Sequence, residues 1–193
     1  MKQEIKKIAN ILPGYTFRSA VEPDPRGDTW VFQAKDVVQG VPFNTVSSLT
    51  QISHTVSGKT GRLEKNDIIL VARGMKTGTF RSTTFVADSP HVIASSSVYI
   101  IRLARADCIP EYVSLYLNSK AGQNALTGIV SGSFVGVLPK HRLEELEIPL
   151  PTREKQKMII DVHQNIRAQE LIVEHQQLLK RDILDALFRT ITT

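Results

Sequence analysis

The sequence predicts an α+β fold: a head rich in β-strands over residues 1–150, then one long helix of coiled-coil type over 151–193. Three observations lead there. Short β-branched and alternating apolar runs fill the first 105 residues, whereas helical patterns fill the remainder. The stretch Leu143 to Gln156 (LEELEIPLPTREKQ) passes an apolar strand signal through Pro149 and Pro151. Beyond that proline gate the chain holds no Gly or Pro, so nothing interrupts a helix.

The elements follow in order. Ile5, Ile8, Ile11 and Leu12 have near-helical spacing, although a short strand fits the same residues, and Pro13-Gly14 makes a turn. Glu22 to Asp28 (EPDPRGD) is a polar loop. Trp30-Val-Phe32 forms a strand, with Asp36 to Gly40 as its exit, and Phe43 to Val56 shows no helical period. Ile68 to Ala72 is a continuous apolar run, the pattern of a buried strand. A Gly-bounded turn, Arg73 to Gly78, leads to a second strand over Thr79 to Ala87. His91 to Ala94 and Val98 to Leu103 are two more. Pro110 opens a helix, since its fixed φ and missing N–H suit the first turn; it ends near Asn118 to Gly122 or continues to Leu126. Gly128 to Gly136 (GIVSGSFVG) is a Gly/Ser loop. Thr152 offers a helix N-cap, and Glu154 places a negative charge in the first turn, where the helix dipole favours it.

From there Ile159, Val162, Ile166, Ile172, Leu179 and Ile183 recur at heptad-like spacing, with Gln169 and Gln176 on the same seam. A helix of roughly 35 residues is about 50 Å long at 1.5 Å per residue, more than one small domain covers. The seam therefore calls for a partner helix; the alternative is that it folds back on its own head.

Composition narrows the class. The chain has 193 residues, 41% hydrophobic and 22% charged, as expected of a folded domain with an appendage. Its longest apolar run is far short of the roughly 20 residues that span a bilayer. The start, Met-Lys-Gln-Glu-Ile-Lys-Lys7, has no signal-peptide core, so the expected location is cytoplasmic. One cysteine, Cys108, excludes an intrachain disulfide and a cysteine-clustered zinc site. The net charge is +5, from 24 basic and 19 acidic residues. The helical tail is close to neutral, which puts the excess on the head. Lys59, Arg62, Lys65, Arg73, Lys76 and Arg81 face only Glu64 and Asp67 between Gly58 and Arg81. An anionic partner fits that distribution, as does a set of solvated loop charges.

Catalytic motifs are missing. Arg73 to Gly78 lacks the Lys-Ser/Thr pair of a phosphate-binding loop, and no Gly-x-Gly-x-x-Gly follows a strand. The five histidines show no metal-ligand spacing. Ser131 and Ser133 flank Gly132 without the surroundings of a nucleophile elbow. No nuclease-type acidic constellation and no amino-methyltransferase tetrapeptide occur. No catalytic, cofactor or metal site is expected.

The ordered set of motifs resembles the specificity (S) subunit of type I restriction–modification systems, in the form of one target-recognition domain plus one conserved helix. The matching pieces are Ile5 to Gly14, Trp30 to Gly40 (WVFQAKDVVQG), Leu63 to Gly78 (LEKNDIILVARGMKTG), Pro110 to Leu117 (PEYVSLYL), and Gly132 to Gln156. Together they cover nearly the whole chain. Asn66 stands where the family usually has Gly, and Lys155 where an acidic residue is common. A full S subunit resembles this unit written twice, so the chain corresponds to a half-subunit, complete in plan or left by truncation.

The resemblance implies sequence-specific binding of double-stranded DNA without catalysis, with residues 1–150 as recognition domain and 151–193 as dimerisation and spacer helix. Its implied partners are a methyltransferase (modification) subunit, the motor–nuclease subunit and a second copy of the chain. DNA contacts are expected from Lys59, Arg62, Arg73, Lys76 and Arg81, and from Ser131, Ser133, Lys140 and His141, because Lys and Arg neutralise phosphates while polar side chains reach base edges. Rival readings remain: Arg73 braces the Gly74 turn, Lys140 and His141 lead into the last strand, and the Gly/Ser loop is a plain connector. The dimer seam is expected at Ile159, Val162, Ile166, Ile172, Leu179 and Ile183. An antiparallel pair would set two heads on a palindromic split site. The alternative function is a protein-interaction module that docks a methyltransferase without binding DNA itself.

Overall fold

A computed structural model describes residues 1–53, 60–74, 79–89, 91–131 and 136–191. Two compact units emerge, 1–156 and 157–193. In the first, strands β1 (Lys2–Glu4), β2 (Ala9–Pro13), β3 (Thr29–Phe32), β4 (Thr50–Ile52), β5 (Ile68–Val71), β6 (Arg73–Gly74), β7 (Ser82–Thr84), β8 (Val92–Ala94) and β9 (Val98–Leu103) precede helices α1 (Pro110–Asn118) and α2 (Lys120–Gly128). Strand β10 (Gly136–Val137), helix α3 (Lys140–Glu144) and strand β11 (Glu147–Pro149) complete it, and helix α4 (Arg153–Ile191) starts there.

Four strands form an antiparallel sheet in the order β2-β9-β5-β7, and three form a second sheet, β4-β3-β8, whose β3–β8 pair is parallel. Every residue of β5 is buried. Alternation explains why: Ile69 and Val71 join Phe32, Phe85, Val92 and Ile100 in the core shared by the two sheets, while the opposite face of β5 and β7 carries α1. The sheet edge at β7 is closed by mimicry of a strand. The Asn118 side-chain amide accepts from Ser82 N–H (2.9 Å) and donates to the Ser82 carbonyl (2.8 Å). Farther along, Phe43 N–H donates to the Thr84 carbonyl (2.8 Å). Paired backbone groups leave no template for another chain along this edge.

The structure settles the open readings and shortens one strand. The first twelve residues divide into β1, a 3-10 turn at Ile5–Lys7 and β2, because Ile5 and Ile8 are fully buried by their strand neighbours. The strand after the Gly-bounded turn is shorter than residues 79–87, since only Ser82–Thr84 pair with β5. The helix from Pro110 ends at Asn118. Ser119 breaks it and caps α2, its Oγ accepting from Gly122 N–H (3.1 Å). Lys140 and His141 open α3, the short helix that leads into the last strand, β11.

Strand β1 pairs with β11, so the amino terminus lies against the segment that precedes α4. Gln156, fully buried, closes that region: its Oε1 accepts from Ile109 N–H (2.9 Å), and its Nε2 donates to the carbonyls of Asp107 (2.9 Å) and Pro151 (2.9 Å). The second unit is helical over its described residues, and α4 as a whole has 39 residues, about 58 Å at 1.5 Å per residue. Among the described residues, no helix is long and apolar enough to cross a membrane.

Candidate nucleic-acid interface

One end of the four-stranded sheet gathers segments far apart in sequence. A chain of backbone hydrogen bonds runs along it. The Gly61 carbonyl accepts from Ala94 N–H (2.7 Å), Ala94 from Tyr15 (2.7 Å), Tyr15 from Ser96 (2.8 Å), Ser97 from Ala72 (2.9 Å), and Ala72 from Leu138 (3.0 Å). Next to Ala72, β6 pairs with β10: Arg73 faces Val137 and Gly74 faces Gly136. Ser131 bridges Val137 by two backbone bonds of 3.0 Å. The described ends of the Arg73 turn and of the Gly/Ser loop, separate candidates in the sequence, thus pair in one ribbon.

Close packing dictates the ribbon's glycines. A Cβ on Gly74 would sit 1.9 Å from Thr79 Oγ1, and one on Gly136 would sit 2.6 Å from Val130 Cγ1 and 3.1 Å from the Gly74 carbonyl. The ring of Phe80 lies beneath both glycines. Tyr99 supports the ribbon from below, its hydroxyl donating to the Leu138 carbonyl (2.9 Å). Burial raises the Tyr99 phenol above its ordinary range, and the Arg73 charge pulls it the other way.

The expected DNA residues divide by position. Arg73 is exposed on β6 with no carboxylate in ion-pair range among the described residues, a cation available to an anion. Ser131 is exposed on the same ribbon. Arg81 immediately precedes β7 at this rim, but its Nη2 donates to the Ala34 carbonyl (3.2 Å) in a half-buried setting, so it braces the rim. Arg62 follows Gly61 one residue in from the rim and bridges Ile93. Lys140 and His141 lie apart, on α3; Lys140 pairs with Glu144 (3.5 Å) and borders a groove along β2. Lys59, Lys76 and Ser133 lie outside the described residues. Sequence reasoning passed over Tyr15 to Val21 and read Glu22 to Asp24 only as part of a polar loop; this segment leaves β2 at the same rim and lines a hollow there. The signal available for it was the cluster Tyr15, Phe17, Arg18, Ser19 directly after the Pro13-Gly14 turn.

Charge follows the two units. Up to Gln156 the chain carries 19 of its 24 Lys and Arg and 14 of its 19 Asp and Glu, which leaves 5 of each beyond. The whole surplus of five positive charges therefore belongs to the first unit. No group of three metal-ligating side chains occurs among the described residues. Burial, then the Asp107 carboxylate, push the Cys108 thiol up, so it is not poised as a thiolate nucleophile.

On α4 the six seam residues are all exposed, from 42% at Ile159 to 59% at Ile183. Leu171, Val173, Leu178, Leu184 and Leu187 are exposed as well. At 100° per residue, Ile159 and Ile166 stand about 120–160° from Ile172 and Leu179 on a straight helix. The six therefore fall on two stripes, and the 3.5-residue turn of a left-handed supercoil narrows the gap between them only to about 100°.

Residues 1–181 match the model of the type I restriction modification DNA specificity domain family. None of the curated proteins matches the chain. Among solved structures, the S subunit of a type I restriction-modification system from M. genitalium is similar at TM-score 0.54 and 17% identity, over 84% of this chain and 37% of that one. The HsdS subunit from Thermoanaerobacter tengcongensis is similar at TM-score 0.60 and 16% identity, over 88% and 37%. A chain from a study of complex assembly and conformational transition of the type I R-M system reaches TM-score 0.68 at 17% identity, over 97% and 43%. The chain thus spans well under half the length of each of these three structures.

Proposed function

The chain belongs to the type I restriction modification DNA specificity family, and on that premise we propose that it recognises a specific sequence in double-stranded DNA for separate modification and motor–nuclease subunits, without catalysis of its own. The observation that carries this reading is the ribbon of β6 and β10. It presents the exposed cation Arg73 and the hydroxyl of Ser131 at one rim of a head that holds the entire positive surplus. Cations on phosphates supply affinity, and polar groups on base edges supply sequence.

One head reads one half of a split site. A second copy supplies the other half, the two joined by antiparallel pairing of α4 through Ile159, Val162, Ile166, Ile172, Leu179 and Ile183. Exposure of all six supports this, because apolar side chains in water favour burial against a partner. The exposed residues outside that seam, Leu171, Leu178 and Leu187 among them, support docking of the modification subunit on the same helix. Residues 1–150 act as the recognition domain and 151–193 as spacer, in the cytoplasm.

The test is selection of binding sites from random duplex DNA by the full chain with its modification subunit. The expected product is a palindromic split motif. Retention of the modification subunit with no sequence enriched would instead establish a docking module indifferent to DNA.

A further inference from the structure

Beside the ribbon, residues 15–24 and 52–53 enclose a mostly polar hollow of about 710 Å³. Its floor is an aromatic pair, Tyr15 and Phe17, edge to face with ring centres 4.9 Å apart. Tyr15 belongs to the rim itself, since its carbonyl accepts from Ser96 N–H and the adjacent Ser97 carbonyl accepts from Ala72 N–H, one residue before Arg73. The hollow and the ribbon therefore face the same end of the sheet.

Two of its charged side chains are unoccupied. Arg18 and Glu22 are both exposed, and neither has an ion-pair or hydrogen-bond partner among the described residues. Asp24 differs, because its Oδ1 accepts from Arg26 N–H (2.9 Å) and its role is to hold the turn. A carboxylate at a surface meant for phosphates alone would be repelled by them. A carboxylate that lines the same hollow as an arginine suits a base pair. Arginine donates two hydrogen bonds to guanine O6 and N7, and a carboxylate accepts from the cytosine N4 amino group.

We infer that the hollow bounded by Arg18 and Glu22 is a base-edge reading site for a G·C pair in the major groove, a second reading element beside the Arg73 ribbon. This rests on the DNA-recognition reading above. Arg18 takes the guanine edge, Glu22 takes the cytosine amino group, and the Tyr15–Phe17 floor keeps the loop from collapsing into the space the base edges need.

Site selection from random duplex DNA decides it, with the full chain and its modification subunit, comparing wild type with R18A and E22Q. Both residues are exposed, so circular dichroism should show an unchanged fold. The expected result is that wild type enriches a motif with a fixed G·C pair, that each variant loses preference at that pair alone, and that affinity for the wild-type motif falls about tenfold to a hundredfold. Enrichment of the same motif by the variants at unchanged affinity would overturn the inference and leave DNA recognition standing. So would a weakening by R18A that is equal for all sequences, which marks a phosphate contact. If wild type enriches no sequence, the broader reading falls and takes this one with it.

Discussion

Arg102 grips Asp67 with two hydrogen bonds of 2.8 Å, from Nε to Oδ1 and from Nη2 to Oδ2. Asp67 is 1% exposed, and its Oδ2 also accepts from Glu64 N–H (2.7 Å). Arg102 reaches Glu64 Oε1 (2.6 Å) and the Arg62 carbonyl (3.2 Å) with its remaining donors. The Asp67 hydrogen bonds, then the nearby charges of Asp67 and Glu64, hold the guanidinium pKa above its usual value. One pair thus ties β9 to the turn before β5. Because removal of Arg102 strands a buried carboxylate, R102L should lower the unfolding free energy by about 3–5 kcal/mol. Urea denaturation followed by circular dichroism measures it.

Asn66, one residue earlier, has φ of 73°, in the left-handed region where Gly is strain-free and Asn is the best tolerated side-chain residue. This explains why Asn can stand where the resembled family uses Gly. N66G should leave stability within about 1 kcal/mol of wild type, whereas N66V should cost about 1–3 kcal/mol. Thermal unfolding of the two variants, side by side, separates backbone strain from any side-chain role.

The ribbon's close contacts make its glycines intolerant. G74A brings a methyl against Thr79 Oγ1 and must move the β6 backbone that carries Arg73. Duplex affinity should fall about tenfold, in line with roughly 1–2 kcal/mol of overpacking cost at a short two-residue pair. An unchanged affinity in a fluorescence anisotropy titration would remove the ribbon from the interface.

Binding should weaken steeply with salt, because each neutralised phosphate releases counterions. R73A should reduce the slope of log affinity against log salt by about one, while R81A, whose guanidinium is held by the Ala34 carbonyl, should leave the slope unchanged and act through stability. Equal slope changes for both would contradict the roles drawn from their positions.

Charges placed on the helix seam test self-association. I172E and L179E together should leave a folded head that sediments as a monomer and binds a split site at least tenfold more weakly, since each buried carboxylate costs several kcal/mol in an apolar seam. Sedimentation that still reports a dimer would move the interface elsewhere.

Local pattern sets much of this protein without help from the fold. The apolar run Ile68–Val71, short and followed by a Gly-bounded turn, reads as a buried strand. Pro110 starts a helix wherever it is followed by helix formers, and the prolines before Thr152 with the Gly-free run after it leave one long helix. Uneven charge between head and helix is likewise plain from the residues alone. Tertiary structure decided what those signals cannot carry. Pairing of Gly74 with Gly136 depends on backbone hydrogen bonds between distant segments, so no local period announces it. Capture of Arg81 by the Ala34 carbonyl, and closure of β7 by the Asn118 amide, depend on which chain segments the core brings within 3 Å or so of each other. Periodicity says which face of an element is buried; only the packed core says what lies across from it.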